Sequence, residues 1–363
     1  MPSVRLGVLA LTALVLMLAT AAAAQQQEVR PPIAQLWIDV ATNVFSLPGM
    51  PRSTASPTTQ NAFGNTRNGM GRYMDVALQV RTRPQGIQAT QTIPSGMRMG
   101  ASLPLEPFKA APPAPSPGGP PDPSQPKGRV TVYWGCSAEV RSGQPRVLNF
   151  ATASAQDWSS VWQGRYVPER GATAEPGHSV WPNDRNKQML PEGNSLQGEH
   201  AIAGDGVPAG FRFPIGATQD LMPAIDLTAQ GEVGGSILLQ WRTIPTARSY
   251  FISAFGTKGD SEIIIWTSSD VPDAGVGLVD YLSNANIDRW TADKVLLPAS
   301  ATQCAVPKGI FAGADGAIVR MIAHGQELNL VFPQRPADPK VAWEQQWAVR
   351  VRVKSTTGTF FAR

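Results

Sequence analysis

The chain has 363 residues, with 31 Lys and Arg against 27 Asp and Glu, for a formal net charge of +4 spread thinly along its length. No cluster of Lys and Arg concentrates that charge, so the composition argues against a nucleic-acid partner, which needs a local basic stripe. Charged residues make up only 16% of the chain while 34 Gly and 33 Pro punctuate it, which favours many short strands joined by turns over long helices.

Arg5, the apolar run Leu6 to Leu18 and the small residues Ala19 to Ala24 follow the charge, core and cleavage-site order of a secretory signal peptide cut after Ala24. The run is shorter than the ~20 residues of a spanning helix, and no Cys stands at the junction to carry a lipid. Residues 1–24 therefore read as a removed leader. The remainder carries no apolar stretch of membrane-spanning length, and the expected destination is the periplasm or the extracellular space.

After a short polar lead, Ile33 to Phe45 reads as extended, and Pro48, Gly49 and Pro51 end it. Residues 52–72, rich in Ser, Thr, Asn and Gly, read as a long loop. Met74 to Thr82 alternates, with Val76, Leu78 and Val80 on one face, which predicts a strand with one side on a core and the other in water. Gly86 to Leu105 adds a strand-and-turn stretch. Residues 111–127 are too rich in proline for helix or central strand and read as a linker or long loop.

Arg129 to Cys136 and Arg146 to Ala151 are expected strands, and Ala155 to Trp162 a short helix. Residues 152–200 otherwise look polar and irregular, and Pro208 to Pro214 resumes extended structure. Strands then recur at Ile237 to Trp241, Ser249 to Phe255, Glu262 to Thr267, Ala317 to His324 and Ala348 to Lys354. The fold class expected is all-β, with two sandwich-like regions at 25–215 and 216–363.

Within the second region, Leu239-Gln240-Trp241, then Ile244-Pro245-Thr246-Ala247, then Tyr250-Phe251-Ile252 resembles the strand B to strand C stretch of fibronectin type III-like domains. The matching stretch covers some 15 to 20 residues of the 363. A clean Tyr-x-Val-x-Val at the expected strand F is missing, with Leu278 to Leu282 and Ala317 to His324 as imperfect substitutes. The resemblance implies a seven-strand Greek-key sandwich over roughly residues 219–330. It implies no activity, since that fold carries many.

Residues with chemical potential are few. Cys136 and Cys304 read either as one disulfide or as two separately buried thiols. His178, His200 and His324 lack metal-ligand spacing, and Glu199-His200 with Asp205 reads as a solvated turn, so neither a metal nor a cofactor is expected. No nucleophile elbow or phosphate-binding loop occurs, and catalytic residues are unassigned. Among ten tryptophans, Trp158, Trp162, Trp181, Trp343 and Trp347 lie in polar surroundings and are candidates for stacking on a ligand.

The reading these observations favour is an exported cell-envelope protein acting as a non-catalytic binding or structural component. Its partner would be an envelope glycan or another protein. The rivals are an envelope hydrolase acting on polysaccharide, with two carboxylates that sequence alone cannot select, and a subunit of a surface or secretion assembly recruited through an unpaired edge strand.

Overall fold

A computed structural model describes residues 27–46, 61–110, 128–162 and 164–362. The leader at 1–24, the proline-rich stretch at 111–127 and residues 52–60 of the expected loop lie outside these residues.

In chain order the strands are β1 (Val29–Arg30), β2 (Ala34–Ser46), β3 (Gly71–Val80), β4 (Ala89–Thr92), β5 (Ser102–Pro107), β6 (Arg129–Trp134) and β7 (Arg146–Asn149). There follow β8 (His178–Trp181), β9 (Gly198–Gly204), β10 (Arg212–Ile215), β11 (Thr228–Gln230), β12 (Ile237–Gln240), β13 (Ser249–Lys258) and β14 (Glu262–Thr267). The last six are β15 (Leu297–Pro298), β16 (Gln303–Val306), β17 (Gly316–His324), β18 (Leu328–Phe332), β19 (Trp343–Glu344) and β20 (Trp347–Ala362). Among the described residues three short α-helices interrupt them: α1 (Asn65–Asn68), α2 (Ala155–Trp162) and α3 (Asn284–Ala292). The protein is all-β.

Fifteen strands belong to one sheet, ordered β10-β9-β4-β5-β8-β3-β2-β20-β17-β13-β14-β6-β7, with β15 beside β13 and β18 beside β20. A second sheet of three strands runs β11-β12-β16, and β1 pairs with β19. The large sheet crosses the 215/216 boundary drawn from sequence. β6 and β7, which precede that boundary, extend the sheet beyond β14, which follows it, through a parallel β14–β6 pairing.

β20 is the axis of the sheet. β2 runs parallel to it from Ala34 opposite Trp347 to Ser46 opposite Thr359. On its other side β18 pairs with its first part and β17 with its second. The sheet also curls: the Phe211 ring, in the turn before β10, stacks on Trp347 at the start of β20 with centroids 4.8 Å apart.

Alternation explains the main core. Leu36, Ile38 and Val40 of β2, Met74, Val76 and Leu78 of β3, and Val349, Val351 and Val353 of β20 all point to one face. Onto the same face, further along, the three-stranded sheet lays Ile237, Leu239, Cys304 and Val306 against Tyr250, Ile252 and Trp266. Cys136, just beyond β6, and Cys304 on β16 are joined as a disulfide that ties the two sheets together, with Cα atoms 5.0 Å apart.

The opposite face departs from the expectation that it meets water. In β3, Tyr73, Asp75 and Ala77 are as buried as their apolar neighbours. Segments 61–70, 165–174 and 267–296 cover this side. α3 contributes Ile287 and Trp290 to a second apolar cluster with Phe251, Leu278, Leu282 and Ile322. Ser283 caps α3, its Oγ accepting the Asn286 N–H at 3.2 Å.

Candidate functional site

The covered face carries a grid of side chains that the strand register specifies. Across β2, β20, β17 and β13, one row reads Ala41, Lys354, His324, Ser249, and the next Asn43, Thr356, Ile322, Phe251. A third reads Phe45, Gly358, Arg320, Ser253. Beyond the first row, Asp75, Asp39 and Arg352 stand side by side on β3, β2 and β20.

The second and third rows floor a cleft of about 440 Å³. Its walls are Arg67, Gly69 and Met70 on one side and Val279 and Asp280 on the other. Asn43 anchors the first wall to the floor. Its Nδ2 donates to the carbonyls of Thr66 at 3.2 Å and Gly69 at 2.9 Å, while its Oδ1 accepts from Thr356 Oγ1 at 2.8 Å. At Gly358 the absence of a side chain lets the Phe45 ring lie on the sheet; a Cβ there would sit 2.7 Å from Phe45 Cδ2. The volume falls within the ~300–1,000 Å³ common for small-molecule sites.

Charge is arranged unevenly around this cleft. Lys354 is almost wholly buried, and its Nζ donates to Asp280 Oδ1 at 2.6 Å. Arg67 Nε lies 3.7 Å from Asp280 Oδ2, and its terminal nitrogen pairs with Glu169. Burial would raise the Asp280 carboxyl, but Lys354 and the Tyr281 N–H outweigh it and hold the group below the usual carboxylate range. Burial pulls Lys354 down from its ordinary value, and Asp280 opposes that. Arg320 differs from both other cations: it is exposed, and among the described residues no hydrogen bond or ion pair engages its guanidinium.

Behind Asp280 the network continues into a smaller cavity of about 110 Å³ lined by Val167, Glu169, Tyr281 and Arg352. Arg352 grips Asp39 with Nε and one terminal nitrogen, both at 2.6 Å, and reaches Glu169 at 3.1 Å. Burial works against its charge, yet Asp39 and Glu169 raise its pKa. The Tyr281 ring lies beneath both cations, 4.4 Å from the Arg352 guanidinium carbon and 4.3 Å from Lys354 Nζ. Gly171 makes room for Arg352, since a Cβ there would fall 1.5 Å from the guanidinium.

Asp39 and Asp75 are adjacent carboxyl groups, but at 1% and 2% exposure neither meets a substrate. Burial pushes the Asp75 carboxyl up to about 7. His324 is fully buried, neither ring nitrogen has a partner among the described residues, and burial with the nearby Lys354 charge lowers it to about 3. Asp280 is the one carboxylate among the residues lining the larger cleft.

The residues singled out from sequence lie elsewhere. Trp181, at 0% exposure, and Trp347, stacked between Phe211 and Phe332, are core side chains with no face open to a ligand. Trp158 is half-buried against Phe150, and Trp162 is 38% exposed at the end of α2. Trp343 donates its indole N–H to the Pro333 carbonyl at 2.9 Å. None of the five lines either cavity. Glu199, His200 and Asp205 are dispersed: Glu199 binds Arg212, Asp205 binds Arg83, and buried His200 contacts Gln91 and the Leu196 carbonyl. Among the described residues no group of His, Cys, Asp and Glu is placed to hold a metal ion.

Sequence reasoning missed Arg320, Lys354, Asp280 and Arg67. The alternation Arg350, Arg352, Lys354 within Ala348 to Lys354 was visible, but it reads as a solvated strand face until the covering segments are seen. Among the described residues no helix is long and apolar enough to cross a membrane. No protein-family model matches the chain, and no curated protein aligns with it significantly.

Proposed function

We propose that the protein is an exported, non-catalytic binding component of the cell envelope, and that the cleft between Arg67 and Val279 is its ligand site. The leader pattern at residues 1–24 supports export. The observation that carries the binding reading is the cleft itself: a stretch of sheet face, unroofed among the described residues, where three cations, Arg67, Arg320 and Lys354, meet one carboxylate, Asp280. The net positive lining favours a negatively charged small molecule. The ionised state of Asp280, held by Lys354, does not suit a proton donor, which weighs against hydrolysis at this site.

For the C-terminal half we propose a fibronectin type III-like unit serving as scaffold. Leu239 to Trp241 and Tyr250 to Ile252, which carry the resemblance, fall on neighbouring segments in different sheets, as strands B and C would. The grouping of β11, β12 and β16 against β14, β13, β17 and β20 supports the same assignment. Trp241 and Tyr250 meet edge to face, and the Tyr250 hydroxyl accepts the Ile244 N–H at 2.9 Å, which fixes the connection between them.

Native mass spectrometry on the chain isolated from the envelope fraction tests the binding reading. The expected result is a retained small anion that raises the thermal midpoint when added back. Recovery of bare chain, with no stabilisation by any compound of an anionic metabolite panel, would overturn it.

A further inference from the structure

We infer that the ligand is an elongated amphiphile, with one oxyanion held at Arg320, an apolar body along the cleft floor and an uncharged hydrogen-bond donor at the Asp280 end. This rests on the cleft being a binding site and specifies what it binds and in which direction.

The two ends of the cleft differ in kind. At one end Lys354 and Arg67 are already matched by Asp280 and Glu169. An incoming anion there would meet a carboxylate whose cations are spoken for. At the other end Arg320 has no such partner among the described residues, so a carboxylate or phosphate gains a charge-assisted, two-pronged contact without displacing one. The register sets the separation. Arg320 and Lys354 stand two grid rows apart on adjacent strands. Four residues of strand rise place the rows about 13 Å apart. One small anion cannot span that distance, whereas an extended molecule can.

The middle is largely apolar. Ile322 and Phe251 share its floor row with Asn43 and Thr356, whose side chains bond each other and, through Asn43, the carbonyls of Thr66 and Gly69. Phe45 lies over Gly358 beside Arg320, and the half-exposed Val279 forms the wall. At the far end Asp280 Oδ2 has, among the described residues, only the Arg67 contact at 3.7 Å, longer than a hydrogen bond, and so retains acceptor capacity. A hydroxyl or amide N–H satisfies it without adding charge to an already compensated group.

Calorimetric titration of the full mature chain with ω-hydroxydecanoate, ω-hydroxydecyl phosphate, decanediol and aminodecanol, below micellar concentrations, tests this. The two anions should bind at least about tenfold more tightly than the diol, the margin of one charge-assisted hydrogen bond, and the amine weakest. Whichever anion prevails identifies the headgroup as acyl carboxylate or phosphate ester. Arg320→Gln should erase the advantage of the anions while leaving diol affinity and the thermal midpoint of the free protein unchanged. Phe45→Ala should weaken all the probes together. Equal affinity for diol and anions, or an unaltered preference in Arg320→Gln, overturns the assigned polarity but leaves the cleft a binding site. Absence of binding by every probe, with heats indistinguishable from those of Phe45→Ala, overturns the cleft reading as well.

Discussion

Asp39 and Asp75 stand directly opposite each other on β2 and β3, both sealed from solvent, and of the two only Asp39 is gripped by Arg352. Asp75 instead accepts the Gly64 N–H at 3.1 Å and the Thr66 hydroxyl, and burial makes its carboxyl hold a proton far above the usual range. Two like groups in register are thus distinguished by what covers them.

The Asp75 proton has a measurable consequence. An unfolded aspartate titrates near about 4, and the folded group at about 7. Between those values the folded chain keeps a proton that the unfolded chain has lost. Its contribution to stability is therefore present below about pH 4, declines up to about pH 7 and is level beyond. Asp75→Asn keeps both hydrogen-bond partners and has no proton to lose. Urea unfolding across pH should show the variant gaining on the parent through that window, by a few kcal/mol in total.

His324 works in the opposite sense. Its folded value of about 3 lies below the ordinary 6.5, so the unfolded chain takes up a proton the folded chain refuses. Its contribution is present above about pH 6.5 and is lost as pH falls toward about 3. His324→Leu removes an imidazole whose nitrogens have no partner. Relative to the parent, the variant should gain stability on acidification, checked by thermal midpoints taken between those limits.

Breaking the Asp39–Arg352 pair should be costly because it leaves a buried guanidinium with only the partly exposed Glu169 as a charge partner. Asp39→Ala is expected to lose about 3–5 kcal/mol of unfolding free energy. Adding Arg352→Met should recover part of it, since the poorly compensated buried charge then disappears. A double-mutant cycle by equilibrium unfolding reads both values.

The disulfide closes a separation of 168 residues and joins the two sheets. Replacing both Cys136 and Cys304 by Ser should lower stability by about 2–5 kcal/mol. Electrophoresis of the parent with and without reductant should show a mobility change that the double variant lacks.

Local pattern carried the reading of β2, β3, β6, β12, β13, β14 and β17, because β-branched and aromatic runs flanked by turn residues announce themselves. β8 was hidden: four residues, His178–Trp181, inside a polar stretch and followed at once by Pro182. The second half of β20, Ser355 to Ala362, is Thr- and Gly-rich and shows little propensity. It is a strand because β2 and β17 pair with it on both sides. The site was illegible for a related reason. Phe45, Gly358, Arg320 and Ser253 are neighbours only through the register of four strands, and Asp280 arrives from a loop. No linear spacing encodes that arrangement. Arg352 and Lys354 were visible as charges but not as buried ones, since what covers them lies far away in the chain.

The pairing of β2 with β20 also governs when the molecule can be finished. Every backbone bond on that flank of β2 waits for residues made some three hundred positions later, so an emerging chain carries its earliest long strand with one flank unzipped. Assembly is expected to be slow and late, as for other topologies dominated by distant pairings. A polypeptide of this kind stays threadable through a narrow channel until its closing strand has followed.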